Sequence, residues 1–195
     1  MTTPASLHFF CGKAGAGKST LARQIAASEA AILISEDLWL SRLFGDRMKT
    51  FEDYKACAER ARSVVGPLVV DLLRAGQTVV LDYPANTRAG RAWFRSLFEA
   101  ASSPHLLHFT DVPDLTCLQR IGRRNVERPE GSHHLTAEDF AYISSFFEAP
   151  EPGEGFCIRI HAPASSSARA PPPPAATTAQ RDGTVRGLPS RSMAT

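Results

Sequence analysis

The sequence predicts an α/β domain in which a parallel sheet of about five strands carries helices on both faces. Three observations predict it. Short apolar runs end at turn or acidic residues, longer stretches with helical spacing separate them, and a glycine-rich loop joins the first run to the first helix.

The first run, Leu7–Cys11, ends at Gly12 and has the pattern of a buried strand. Residues 18–30 follow as a helix with Leu21, Ala22, Ile25 and Ala26 on one face, and residues 31–34 supply a second strand closed by Ser35-Glu36-Asp37. A long helix over about 50–75 opens on Thr50-Phe51-Glu52-Asp53, a capping-box pattern, and stops before Gly76. Residues 78–81 form a third strand, ended by Asp82. Residues 87–101 have helical character, 106–109 those of a strand, and 113–124 those of a helix with arginines crowding its last turns. Residues 136–147 form a further helix with Thr136 and Asp139 at capping spacing, and 156–160 alternate as a last strand. Phe140, Ile143 and Phe147 are core positions at helical spacing, and Trp39, Trp93 and Phe94 are packing residues.

Residues 1–161 are expected to fold as one domain. From Ala162 to Thr195 the chain is rich in Pro, Ala, Ser and Arg and has almost no large apolar residues. Such a segment cannot bury enough surface to offset its ordering entropy, and disorder is expected. Of 22 basic and 20 acidic residues, four arginines and one aspartate lie in this tail, so the rest carries one more acid than base. A near-neutral domain is no electrostatic footprint for general nucleic-acid binding. No apolar run approaches the roughly 20 residues that cross a bilayer, and the N-terminus lacks a secretory pattern. Four scattered cysteines (Cys11, Cys57, Cys117 and Cys157) have no metal spacing and read as reduced thiols. The expected setting is the cytoplasm, away from membranes.

The loop after the first strand is Gly12-Lys13-Ala14-Gly15-Ala16-Gly17-Lys18-Ser19, a phosphate-binding P-loop. Its glycines are required because backbone N–H groups must converge on phosphate oxygens that side chains would obstruct. Gly12, Lys13, Ala14, Gly15, Ala16, Gly17, Lys18, Ser19 and Thr20 are therefore the expected nucleotide cradle. Lys18 should reach the β- and γ-phosphates of ATP, and the Ser19 hydroxyl should coordinate Mg2+. The fold expected is the three-layer P-loop NTPase sandwich.

Other charged residues fall near the same sheet edge. Asp82 ends the third strand, where a carboxylate can hold magnesium directly or through water. Asp37 lies just beyond the second strand and could take the proton of an attacking hydroxyl; Glu36 is its rival, and either could be a solvated acid at a helix start. Arg42 and Arg47 could bind an anionic acceptor or lie on the surface. Tyr83-Pro84-Ala85-Asn86-Thr87 is a turn that could line the pocket. Arg120, Arg123, Arg124 and Arg128 run into Pro129-Glu130-Gly131, the composition of a mobile arginine lid over a phosphate or of an ordinary helix C-terminus. His133 and His134 are adjacent, cannot chelate zinc from one helix face, and read as a solvated loop pair.

These residues resemble the P-loop kinases: Gly12 to Ser19, Asp37, Leu81-Asp82 with Asn86 beyond, and Arg124-Asn125-x-x-Arg128. Within them the likeness is to the AAA-type ATP-binding domain group. It includes the kinase module of polynucleotide 5′-hydroxyl kinases and lies near zeta toxins and chloramphenicol phosphotransferase. Phe146-Phe147-Glu148-Ala149-Pro150 and Glu154-Gly155-Phe156 also resemble a signature of bacterial members. The resemblance implies an ATP·Mg2+ site with Lys18 and Ser19 as ligands, Asp37 as base, and Arg124 and Arg128 as lid arginines. Tyr83-Pro84 stands where polynucleotide kinases read Asp-Thr-Asn, so a small-molecule hydroxyl fits as acceptor at least as well as a 5′-hydroxyl end. The leading expectation is a kinase moving the ATP γ-phosphate to a hydroxyl. The alternatives are plain ATP hydrolysis and a nucleotide-dependent regulatory or binding module.

Overall fold

A computed structural model describes residues 4–162. The disordered segment expected from residue 162 lies, apart from Ala162 itself, outside the described residues.

Five strands form one parallel sheet: β1 (Leu7–Cys11), β2 (Ile32–Ser35), β3 (Val79–Pro84), β4 (His105–Thr110) and β5 (Ile158–His161), in the order β2-β3-β1-β4-β5. The helices are α1 (Lys18–Ser28), α2 (Glu36–Phe44), α3 (Phe51–Arg74), α4 (Arg88–Ala101), α5 (Asp114–Glu127) and α6 (Ala137–Ser144). The alternation of strand side chains divides the core. Phe9, Leu81 and Leu107 face α3 and α4, where they meet Val65, Val69, Phe94, Leu97 and Phe98. Phe10 and Val80 point the opposite way, onto Ala22 and Ala26 of α1. The three-layer α/β arrangement follows from this.

Local signals set several boundaries. Thr50 caps α3 by accepting from Asp53 N–H, while Asp53 accepts from Thr50 N–H; Thr136 and Asp139 do the same for α6. The sequence expectations shift at several boundaries. Glu36 and Asp37, weighed as acids at a helix start, do open a helix, the nine residues of α2, whose extent was not predicted. Helix α5 runs three residues further than expected, to Glu127, and α6 ends at Ser144 instead of residue 147. Strand β3 extends through Pro84, which buries Tyr83 and Ala85 in the core, so these two do not line the pocket. Phe140 is buried, Phe147 packs against the main core, and all four cysteines are free thiols. No helix among the described residues is long and apolar enough to cross a membrane.

Candidate active site

The order of the sheet places β1 between β3 and β4 while the chain passes next to β2, so a crevice opens beyond the carboxyl ends of the strands. The loop 12–17 lies there. Its glycines are demanded by backbone shape and by neighbours. A Cβ on Gly12 (φ 151°) would stand 2.1 Å from Thr110 Oγ1 and 2.8 Å from the Thr110 carbonyl oxygen. One on Gly15 (φ 75°) would stand 2.5 Å from the Cys117 carbonyl oxygen. Gly17 (φ 101°) caps α1, so the free N–H groups of that helix open toward the loop. Lys18 Nζ donates to the Gly12 and Lys13 carbonyls at 2.6 and 2.9 Å. Burial pulls its pKa down, and the Asp82 carboxylate opposes that. Lys13 is paired with Asp114 at 2.5 Å; Ala14 and Ala16 lie in the loop, Ser19 in the first turn of α1, and Thr20 is exposed on α1.

Ser19 and Asp82 meet, with Ser19 Oγ donating to Asp82 Oδ1 at 3.2 Å, and Ser35 Oγ reaches Oδ2 at 3.4 Å. The two oxygens suit a hard, oxygen-seeking cation such as Mg2+. Among the described residues no cluster of three or more His, Cys, Asp or Glu could hold a metal by itself. A magnesium ion here would draw its remaining ligands from phosphate and water. Burial raises the Asp82 pKa, and the Ser19 hydrogen bond resists that.

The geometry separates the two rival acids. Glu36 is buried; Tyr54 Oη donates to it at 3.1 Å and Arg62 pairs with it at 3.1 Å. It is a structural anchor between α2 and α3. Asp37, one residue on, instead feels His133, Lys18 and Arg124 as its neighbouring positive charges, while burial raises its pKa. A carboxylate placed so can accept a proton from a hydroxyl beside the loop.

The arginines have divided roles. Arg120 Nη1 donates to the Ala16 carbonyl at 3.1 Å, on the loop itself. Arg123 is an exposed partner of Glu127. Arg124 Nη2 donates to the His133 carbonyl at 3.4 Å, and its Nε is buried without a partner among the described residues. Arg128, with φ 45°, ends α5 and turns the chain into the 129–134 loop. Asn125 closes that loop, donating to the Leu135 carbonyl at 2.7 Å and accepting from Leu135 N–H at 3.2 Å. The loop tip packs back on α2: a Cβ on Gly131 would meet Leu38 N at 3.2 Å, and Glu130 pairs with Arg42 at 2.9 Å. Arg124, Arg128, Ser132, His133 and His134 line a cleft of about 350 Å³. The two histidines are an exposed pair on this loop, as expected, at the edge of the cleft, and Arg42 ties the loop down.

A P-loop whose Ser19 meets Asp82 of β3, with an arginine-bearing loop packed on the start of α2, agrees with the sequence comparison. The family model described as AAA domain matches residues 7–150. The chain belongs to the AAA domain family. Solved structures that resemble this AAA domain share its fold. A candidate kinase from Chloroflexus aurantiacus has TM-score 0.66 at 16% identity, covering 82% of this chain and 89% of its own. The Mycobacterium tuberculosis APS kinase CysC, solved with AMPPNP and APS, has TM-score 0.56 at 21% identity, covering 85% and 92%. Chaetomium thermophilum Kti12, solved with ADP-AlF3, has TM-score 0.57 at 19% identity, covering 84% and 92%. Compared with curated proteins, the chain finds no match.

Two further residues contribute to this AAA domain site: Asn86, from the turn expected to line the pocket, and Arg91, which the sequence did not point to. Asn86 Oδ1 accepts from Gly12 N–H at 2.9 Å, bracing the start of the P-loop. Arg91 is fully buried and donates to the Ala85 and Glu148 carbonyls at 3.0 and 2.8 Å, holding the segment that carries Asn86. An arginine at helical spacing gives no hint of burial. Glu154, in the signature after residue 150, was the available clue: it is the partner of Arg91.

Proposed function

We propose that this AAA domain is a P-loop kinase that transfers the γ-phosphate of ATP to a hydroxyl group. The observation that carries the reading is the setting of Asp37. The Gly131 turn of the arginine-bearing loop packs on its backbone, where a Cβ on Gly131 would stand 3.3 Å away. His133, Lys18 and Arg124 favour its carboxylate, while its neighbour Glu36 is engaged by Arg62 and Tyr54. A base in that position serves an attacking hydroxyl, and simple nucleotide binding requires none.

In this reading residues 12–20 cradle the phosphates, and Lys18 leaves the loop carbonyls for the β- and γ-oxygens. Ser19 and Asp82 would hold Mg2+, which would neutralise charge on the phosphates. Arg124, through its unpartnered Nε, and Arg128 stabilise the charge that develops on the transferred group. The finer kinship with polynucleotide 5′-hydroxyl kinases, zeta toxins and chloramphenicol phosphotransferase belongs to the same proposal, supported by Arg124-Asn125-x-x-Arg128. So does a cytoplasmic setting, supported by four free thiols.

The test is transfer of labelled γ-phosphate to a panel of hydroxyl acceptors: nucleosides, aryl alcohols, sugars and 5′-hydroxyl oligonucleotides. Lys18→Ala should lower transfer by about 100-fold or more. Arg124→Ala with Arg128→Ala should abolish transfer and leave ATP affinity within a few-fold. Label reaching only water with every acceptor would overturn the assignment.

A further inference from the structure

We propose that Tyr54 is a positioning residue for this site: it fastens the start of α2, which carries Asp37, to the loop after α5 into which Arg124 and Arg128 lead. Its catalytic meaning rests on the phosphotransfer reading above, while the fastening itself is a property of the fold.

Helix α2 does not fix its own start. It is nine residues long, and its N-cap residue Ser35 makes no side-chain bond to the helix N–H groups. The Ser35 hydroxyl goes instead to Asp82 Oδ2, at 3.4 Å. So short a helix is held by tertiary contacts rather than by propensity. The contact at its first residue is the Glu36 carboxylate, 1% exposed, which accepts from Tyr54 Oη at 3.1 Å and from Arg62 Nε at 3.2 Å. Asp37 is the next residue in the chain, so whatever fixes Glu36 sets where the Asp37 backbone begins.

The two partners of Glu36 differ in what stands behind them. Arg62 turns into the domain, its guanidinium 5.1 Å from the Trp93 ring and 5.9 Å from that of Tyr83. Tyr54 turns toward the loop: its ring meets His133 edge-on at 5.9 Å, a geometry in which aromatic rings attract. The His133 carbonyl in turn accepts from Arg124 Nη2 at 3.4 Å. Tyr54 thus touches Glu36 on one side and the loop on the other. Burial and the Glu36 charge push its phenol pKa up, so the hydroxyl keeps its proton and stays a donor.

The loop meets the same end of α2 a second time. A Cβ on Gly131 would lie 3.2 Å from Leu38 N and 3.3 Å from the Asp37 carbonyl carbon, so the two backbones are in close contact. The outer tie, Arg42 to Glu130, has both side chains 62% exposed, and such a pair is weak and screened by salt. The bond to the buried Glu36 carboxylate is screened far less. Base and arginines therefore keep their separation through Tyr54, and a displacement of about 1 Å there can cost about 100-fold in rate.

Hydrogen exchange read by mass spectrometry on the full chain measures the fastening with no ligand. Tyr54→Phe keeps the ring on His133 and removes the bond to Glu36. Exchange over residues 36–40 should rise about tenfold while β1 and β3 stay protected. Tyr54→Leu removes both contacts, so residues 36–40 and 129–135 should loosen together. Arg42→Ala should leave residues 36–40 within about twofold of the wild type. Tyr54→Phe matching the wild type over 36–40, or Arg42→Ala loosening them as much as Tyr54→Leu, would overturn the fastening.

The kinetic arm uses labelled ATP and whichever acceptor of the panel above takes most label. In Tyr54→Phe, kcat should fall about 10- to 100-fold with the KM for ATP unchanged. Normal transfer by Tyr54→Phe, or an equal loss of ATP affinity, would sink the positioning role and leave the kinase. Label reaching only water in the wild type, with the exchange result as expected, would sink the phosphotransfer reading and leave the fastening standing.

Discussion

Arg91 lies across Glu154 in the interior, Nε to Oε2 at 2.7 Å and Nη2 to Oε1 at 2.8 Å, with both side chains less than a tenth exposed. The pair joins α4 to the turn before β5, and the same guanidinium holds the Ala85 and Glu148 carbonyls. Removing one partner of such a buried pair leaves an uncompensated charge, at a cost of about 3–5 kcal/mol. Glu154→Gln and Arg91→Leu should each lower the midpoint of urea unfolding accordingly. Arg91→Leu should also weaken ATP binding, because the segment it holds carries Asn86. Unfolding midpoints within experimental scatter of the wild type would contradict this.

Asn86→Ala removes the acceptor of the Gly12 N–H. A hydrogen bond of this kind is worth about 1 kcal/mol, so the Kd for ATP should rise roughly fivefold while the fold persists. Titration calorimetry with far-UV circular dichroism measures both.

Gly12→Ala should abolish ATP binding. The added methyl would collide with Thr110 Oγ1 and the Thr110 carbonyl oxygen. A second substitution, Thr110→Ala, removes only the side-chain clash. It should therefore fail to restore binding, which a nucleotide-affinity assay of the double variant checks.

The carboxyl of Asp37 has a raised pKa, chiefly through burial, with His133, Lys18 and Arg124 holding it back. A base must be ionised, so kcat/KM for phosphotransfer should fall as pH drops through that raised value, above the ordinary aspartate range. His133→Ala removes a charge that favours the carboxylate and should move the acid limb to higher pH. Asp37→Asn should remove the limb together with most of the rate.

A row of histidines crosses the sheet: His8 Nδ1 lies 3.0 Å from His108 Nε2, and His108 Nδ1 lies 2.9 Å from His161 Nε2. Burial, with His8, His161 and Arg159 adding to it, pushes the His108 pKa down to about 3. Glu29, 3.3 Å from His8 Nε2, is the acid at the other end of the row. Between that value and the unfolded one, the unfolded chain binds more protons than the native protein. Stability should be complete above about pH 6.5 and decline as pH falls toward 3. His108→Gln should flatten this acid slope in thermal melts taken across that range.

Several features were legible because they are local. The cradle from Gly12 to Ser19 is one contiguous word, and the capping pairs Thr50/Asp53 and Thr136/Asp139 are three residues apart. The extent of helix α2 was not legible beyond its acidic start at Glu36 and Asp37. Its apolar contacts lie on α3, far along the chain, where Leu40 meets Ala58 and Ala61. The choice between Glu36 and Asp37 was equally closed to the sequence, since it turns on Arg62 and Tyr54 arriving from α3.

By itself the sequence determined the α/β class, the parallel sheet and the position of the phosphate loop, because strand alternation, helical spacing and glycine content are properties of neighbouring residues. Only the tertiary structure decided which acid faces Lys18, which arginines lie on the loop, and that Asn86 and Arg91 brace it. Those are matters of burial and of pairing between distant segments. Desolvation then sets which charges must find partners, and no local pattern records the outcome.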